Sequence, residues 1–262
     1  MSIDELGFLS NDVTHWIGKH RADNAAWFSF AERLNRLGQS LLHGLSVTTG
    51  EGQDSRLLAM LLFTRTLSNF QGAILMAERG MIVEARTLAR SCLESTFCLA
   101  AMECGKEDFA NEFRRATLQS RKARANFILK VPDRLQYTDV ESADRLRAYA
   151  ARLNEYPEDL SSLKFEQLAE RVGLADMYLF YRQLSADSAH PSIEALCRYI
   201  GDAGNVKWGP NCDSTEIGDT VNIACHFLIG ACAYINDIAQ NDEFANSLGA
   251  HFTEYKELNG VK

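Results

Sequence analysis

Proline is scarce, four in 262 residues, and nothing resembles a Pro- or Ser-rich linker, so long uninterrupted helices are open to this chain. No stretch alternates apolar and polar residues as a half-buried strand does, and there is no internal repeat or low-complexity tract. Long apolar runs are missing too. The most apolar late stretch, 221–235, is 15 residues long and contains Asn222 and His226. A spanning helix needs about 20, so this is expected to be a core helix, with no membrane partner. The opening MSIDELGFLS lacks the basic start and apolar run of a secretory leader. Also absent are a Gly-rich phosphate loop, a Cys-x-x-Cys pair, and the His-Glu-x-x-His and Glu-x-x-His spacings of helical metal sites. Neither metal nor cofactor is expected.

The formal net charge of -8 sets the molecule as a whole against nucleic acid and anionic membrane, while leaving room for a local basic surface. No DNA sequence readout is expected. The seven cysteines are an odd number, and most sit inside apolar helical runs. Cys92, Cys98 and Cys104, six apart, point to different sides of a helix and cannot share a metal. They read as reduced core residues of a cytoplasmic protein.

What the chain does have is helical periodicity, strongest between Arg56 and Glu103. Leu57, Met60, Leu61, Thr64, Leu67, Phe70, Ile74 and Ala77 recur at three- and four-residue intervals. Leu58, Leu62, Phe63 and Leu75 carry the apolar surface almost all round, the mark of a helix buried on most sides. In the second block Ile82, Ala85, Ala89, Leu93, Phe97 and Ala100 form an inward stripe, and its alanines let a neighbouring backbone come close. Gly80 suits the left-handed residue that ends the first block. The expectation is an all-α fold, a multi-helix bundle built around this central αα-hairpin. Residues 1–262 form a single domain, with an N-terminal helical arm (1–47) and a core bundle (54–241). Helices are expected near 3–18, 22–45, 106–131, 141–155, 163–172, 174–188, 191–200 and 215–240. Asp54 is placed as an N-cap, 201–214 as a loop, and 242–262 as a polar tail of weak helical pattern.

Four groups of residues carry chemistry. Arg86, Arg90 and Glu94 stack along one side of the second hairpin helix and edge its apolar stripe. Charges so placed must pair with each other or with another helix, or meet an anionic substrate. Next, Tyr178, Tyr181, Arg182 and Ser185 share a face, and Pro191 ends that helix at His190. A histidine there is free to act as general acid or base, and Asp187 can orient it. Asp219, Asn222, His226, Gly230 and Asp237 form a polar seam on the last long helix, with Arg90 and Glu94 as its expected partners. Finally, seven basic residues and one acid lie between Arg114 and Arg134. Arg114, Arg115, Arg121 and Lys122 are expected on one side and Phe113, Ala116, Ala123 and Phe127 on the other, a basic amphipathic helix able to meet phosphate.

Glu78-Arg79-Gly80, Glu84-Ala85, Arg90-Ser91, Glu94, Ser185 and His190 together resemble an uncharacterised bacterial family of helical domains of unknown function, over roughly 55–200. That resemblance implies no chemistry, and marks Arg90, Glu94, Ser185 and His190 as positions to watch. A looser likeness is to the HEPN ribonucleases, helical bundles that often dimerise and use an Arg followed after four to six residues by a His. Arg36 and His43 have six residues between them; Arg182 and His190 have seven. This likeness implies a metal-independent RNA-cleaving dimer of stress or phage defence, in which one arginine steadies phosphate and His190 moves the proton, with His190, Arg90 and Glu94 as the candidate catalytic residues. Tyr181, Arg182, Ser185, His226, Arg114 and Arg121 would bind substrate, with RNA lying on the basic helix 113–134. The alternative is a non-catalytic helical module that binds a partner protein or small ligand in the polar seam.

Overall fold

A computed structural model describes residues 2–45, 55–130, 140–156, 161–189, 192–201, 204–207 and 209–261. Among the described residues eleven α-helices follow in chain order: α1 Ile3–Leu6, α2 Val13–Asp23, α3 Ala25–Gly44, α4 Ser55–Ala77, α5 Ile82–Leu129, α6 Val140–Asn154, α7 Phe165–Arg171, α8 Ala175–Leu184, α9 Ile193–Cys197, α10 Ser214–Ala239 and α11 Ala245–Leu258. Among the described residues the only β-pairing is an isolated bridge between Ile200 and Val206. The fold is all-α. Asp54 lies outside the described residues.

Helix α5 is interrupted at Lys106, whose φ of 44° and ψ of -120° are not helical. The chain divides near there into two compact units, one of 1–104 with 165–262 and one of 105–164. In the larger unit, α10 packs on α3 and α4, and α3 on α4. Phe28, Phe30, Leu34, Phe63, Leu67, Phe70, Phe97, Phe227 and Leu228 are sealed from solvent in this core. Two small residues permit the close approach. A Cβ at Gly38 would fall 2.6 Å from Leu67 Cδ2, and one at Gly72 would fall 2.9 Å from Leu88 Cδ1. Helix α10 has the length and apolar character of a membrane span, but more than half of its most apolar stretch is buried inside this unit.

Two expectations fail here. The tail after 242 is not weakly structured: α11 runs from Ala245 to Leu258 and packs on α3 and α10. Its signal was faint because it contributes rings, not an aliphatic stripe: Tyr255 lies against Trp27 and Phe30 and His251 against Phe30. The cysteines also divide. Cys92, Cys98, Cys225 and Cys232 are buried, whereas Cys104, Cys197 and Cys212 are exposed, and each of the seven is a thiol outside any disulfide.

The smaller unit is a helical hairpin of the second half of α5 with α6. Ala125, Ala150 and Leu153 form its core, flanked by Leu118, Leu129, Leu146 and Tyr149.

Candidate functional site

Gly80 fixes one end of the site. Its φ is +73°, and a Cβ there would lie 2.8 Å from the backbone nitrogen of Asn211 and 2.9 Å from its oxygen. Only glycine fits that approach. The Asn211 amide in turn donates to the Gly80 carbonyl at 3.0 Å, so part of the 201–214 loop is tied to the hairpin turn. Glu78, just before the turn, is 7% exposed. Arg21 donates to it at 2.9 Å and Arg79 at 2.6 Å, while His20 Nδ1 donates to its backbone carbonyl at 3.0 Å.

One turn into α5, Arg86 enters a second ion-pair network. It meets Asp187 and, at 3.3 Å, Glu216, and its Nε donates to Thr220 at 3.2 Å. Arg198 grips the same Asp187 through two nitrogens and also meets Glu216. Glu216 takes a further hydrogen bond from Asn211. Burial alone would raise the Asp187 carboxyl, but the hydrogen bonds from Arg198 and Arg86 outweigh it and hold it below the usual carboxylate range. Asp187 lies in a π-helical turn, Ser185–Ala189, that continues α8. Such turns widen the helix and re-aim its side chains.

Arg90, one turn further along α5, does not enter this network. Its Nε donates to Ser185 Oγ at 2.7 Å and its Nη2 to the Tyr181 hydroxyl at 2.7 Å. The same Nη2 pairs with Glu94 at 2.8 Å, and the guanidinium carbon lies 4.6 Å from the Tyr181 ring centre. Tyr181 stacks on Tyr178 and leans on Phe165. The Ser185 hydroxyl donates to the Tyr181 carbonyl at 2.7 Å. Its proton is thus committed to a backbone acceptor while its oxygen accepts from Arg90.

The structure thus brings together Arg90, Glu94, Tyr181 and Ser185, drawn from two of the candidate groups, and separates the rest. Arg182 is exposed and takes no part in the Arg90 contacts. Asp187, expected to orient His190, has its carboxylate held by Arg86 and Arg198. His190 itself lies outside the described residues. The polar seam of α10 does not meet Arg90 and Glu94. Instead Asn222 bonds the Tyr255 hydroxyl at 2.7 Å and Asn259 at 2.8 Å, and His226 packs against Phe180 and Tyr255. Burial pushes the His226 imidazole down and the Tyr255 hydroxyl up to about 12. Gly230 faces Thr96, while Asp219 and Asp237 are exposed. Arg114 and Arg121 sit in the smaller unit, Arg114 bonding Asn111 at 3.0 Å. Sequence reasoning passed over Arg198, Glu216 and Asn211. Arg198 carried one signal, a single charge in the otherwise apolar Ala-Leu-Cys-Arg-Tyr-Ile run.

Beside the ion-pair network lies a small, half-open cleft of about 70 Å³. Met81, Ile82 and Val83 form an aliphatic floor, and Glu84, Arg198, Tyr199, Lys207 and Asn211 bring polar groups to it. Burial and the nearby Glu84 carboxylate push the Tyr199 hydroxyl up. No backbone acceptor among the described residues meets the amides of Ile82, Val83 and Glu84, the first turn of α5.

An all-α bundle with arginine–carboxylate networks on its central hairpin is the class these observations define. The chain belongs to a family of unknown function (DUF5677), whose pattern matches residues 56–206. That span takes in Gly80, Arg86, Arg90, Asp187 and Arg198, and stops short of Asn211 and Glu216. No curated protein and no solved structure matches the chain.

Proposed function

We propose that this protein is a non-catalytic helical module that binds a small polar or anionic ligand in the cleft beside the Gly80 turn. One observation supports the reading above others. The described candidate catalytic groups are satisfied within the protein, while the adjoining cleft gathers unlike polar ends over an aliphatic floor. Three arginines (Arg86, Arg90, Arg198) face three carboxylates (Glu94, Asp187, Glu216), so the cluster has no excess positive charge to steady a transition-state phosphate. The seam of α10 is less suited to a ligand, because α11 already occupies Asn222.

The test is a thermal-shift screen of purified protein with carboxylates, phosphates and nucleotides at millimolar concentration. A ligand at a hundred times its Kd should raise the melting temperature of the wild type by about 5 °C. Lys207→Ala and Tyr199→Phe should weaken that response. No stabilisation by any compound, together with only the bare protein mass in native mass spectrometry, rejects the reading.

RNA cleavage is the second reading, favoured by one contact: Arg90 is held by Ser185, five residues before His190 in sequence. Cleavage of total RNA in excess chelator by wild type, lost in both His190→Ala and Arg90→Ala, would displace the binding module as the conclusion.

A further inference from the structure

The geometry points to a second binding surface, for single-stranded nucleic acid, on the second half of α5. From Phe113 to Lys130 this helix carries six basic residues and no acidic one. Arg115, Arg121, Arg124 and Lys130 are exposed and Lys122 half-exposed. Among the described residues none of these five meets a carboxylate: Lys122 reaches the Tyr156 carbonyl at 3.4 Å and Arg124 the Ser120 carbonyl at 3.4 Å. The partner helix supplies an internal control. On α6, Arg145 pairs with Glu141 at 3.6 Å and Arg147 with Asp144 at 2.6 Å. Two of the three arginines of α6 are paired locally, whereas Arg115, Arg121, Lys122, Arg124 and Lys130 on α5 meet no carboxylate among the described residues.

Their arrangement selects the partner. At about 100° per residue, Ala125 on the packed side falls between Arg121 and Lys122, so those two flank the seam on opposite shoulders. Lys130, Phe127 and Arg124 fill the solvent-facing arc between the shoulders, and Phe127 is 56% exposed. The five cations extend about 22 Å along the helix axis. A duplex or an acidic folded protein presents its charges on a stiff surface and can meet one shoulder at a time. A single strand can bend round a convex helix, place phosphates on both shoulders and lay a base on an aromatic ring. The charge background agrees. Residues 105–164 hold twelve basic and ten acidic side chains, although the whole chain is at -8.

Fluorescence anisotropy with a labelled 20-nucleotide single strand, over 50–200 mM salt, tests this on the full chain. Five phosphate contacts predict a slope of log K against log salt of about -3.5, and Arg121→Ala/Arg124→Ala/Lys130→Ala should reduce it by about 2 and weaken binding at least tenfold at 100 mM salt. Lys19→Ala/Lys256→Ala, on the larger unit, should leave both unchanged. Circular dichroism melts establish that each variant is folded. Three outcomes overturn the inference: no binding by wild type at 50 mM salt, binding unaltered in the triple variant, or equal competition by polyglutamate, which would make the partner an acidic protein. None of these readouts involves the cleft ligand, so the two proposals stand or fall separately.

Discussion

Arginines in two regions of this protein, the ion-pair networks of the larger unit and the second half of α5, live under opposite regimes. In the larger unit Arg21, Arg79, Arg86, Arg90 and Arg198 each meet a carboxylate, and three carboxylates, Glu78, Asp187 and Glu216, are met by two arginines apiece. On the second half of α5, Arg115, Arg121 and Arg124 meet none among the described residues. The difference follows from burial. A guanidinium held at 13–23% exposure, as Arg86, Arg90 and Arg198 are, cannot be left unpaired without a desolvation cost. Exposed cations face no such demand and can be kept for a partner. The half-buried paired arginines of the larger unit therefore belong to its architecture, and the exposed ones of α5 are those assigned to a partner in the proposal above.

Breaking the paired side should have the largest effect. Asp187→Ala leaves Arg86 and Arg198 with Glu216 alone, and should cost about 3 kcal/mol, the lower end for breaking a buried pair because the site is only partly buried. Urea denaturation measures it. The pH dependence has a definite sign. The Asp187 carboxyl is held below its unfolded value, so its contribution is present above about pH 4 and is lost as pH falls through the lower folded value. The gap between wild type and Asp187→Ala should stay constant from pH 8 to 5 and close only in stronger acid. A gap under 1 kcal/mol at pH 7 would mean the network contributes little, and the contrast with α5 would lose its energetic basis.

Gly80→Ala should come next, at about 2 kcal/mol, since it adds a left-handed alanine and a Cβ into the Asn211 backbone. Ala at Gly249, where nothing lies within 4 Å of the added carbon, is the matching control. Gly80 also marks how far local spacing reaches. Its place after an apolar period ending at Ala77 identified the hairpin turn, and spacing identified the stripe of Ala85, Ala89, Leu93 and Phe97, because helical periodicity is a local property. Spacing likewise put Arg90 beside Glu94. It could not say that Ser185 and Tyr181 would close on Arg90, nor that Arg86 would reach Asp187 and Glu216, because those contacts join segments about 90 or more residues from α5 in sequence. On the basic helix the expected apolar side holds at Ala116, which is buried, but not further along. Ala123 and Phe127, expected inward, are exposed, and Ala125 faces α6 instead. Six cations among small residues leave no dominant apolar period to fix the rotation of the helix.

A smaller effect is expected at His226. Burial holds its imidazole below the ordinary value, so no pH-dependent loss occurs while both states are neutral, above about pH 6.5. As pH falls below that, the unfolded chain takes up the proton first and the folded state loses ground. His226→Phe, placed among Phe180, Phe227 and Tyr255, should therefore melt within a few degrees of wild type at pH 7.5 and lose less between pH 7.5 and 5.5. Parallel melting curves for the two proteins would show that the histidine is not protonated on unfolding.

The smallest effect, and the one of opposite sign, belongs to the open side. Neutralising Arg121, Arg124 and Lys130 together removes like charges that repel one another and breaks no ion pair among the described residues. The triple variant should melt within about 1 °C of wild type or slightly above it. Any gain should shrink as salt is raised from 20 to 500 mM, because exposed charges are screened beyond a Debye length of about 10 Å at 0.1 M. Asp187→Ala should keep most of its deficit over the same range, since screening reaches half-buried groups less. If the triple variant instead lost several degrees, and lost them at every salt concentration, these side chains would be structural. The distinction between arginines that hold the fold and arginines that await a partner would then not apply to this helix.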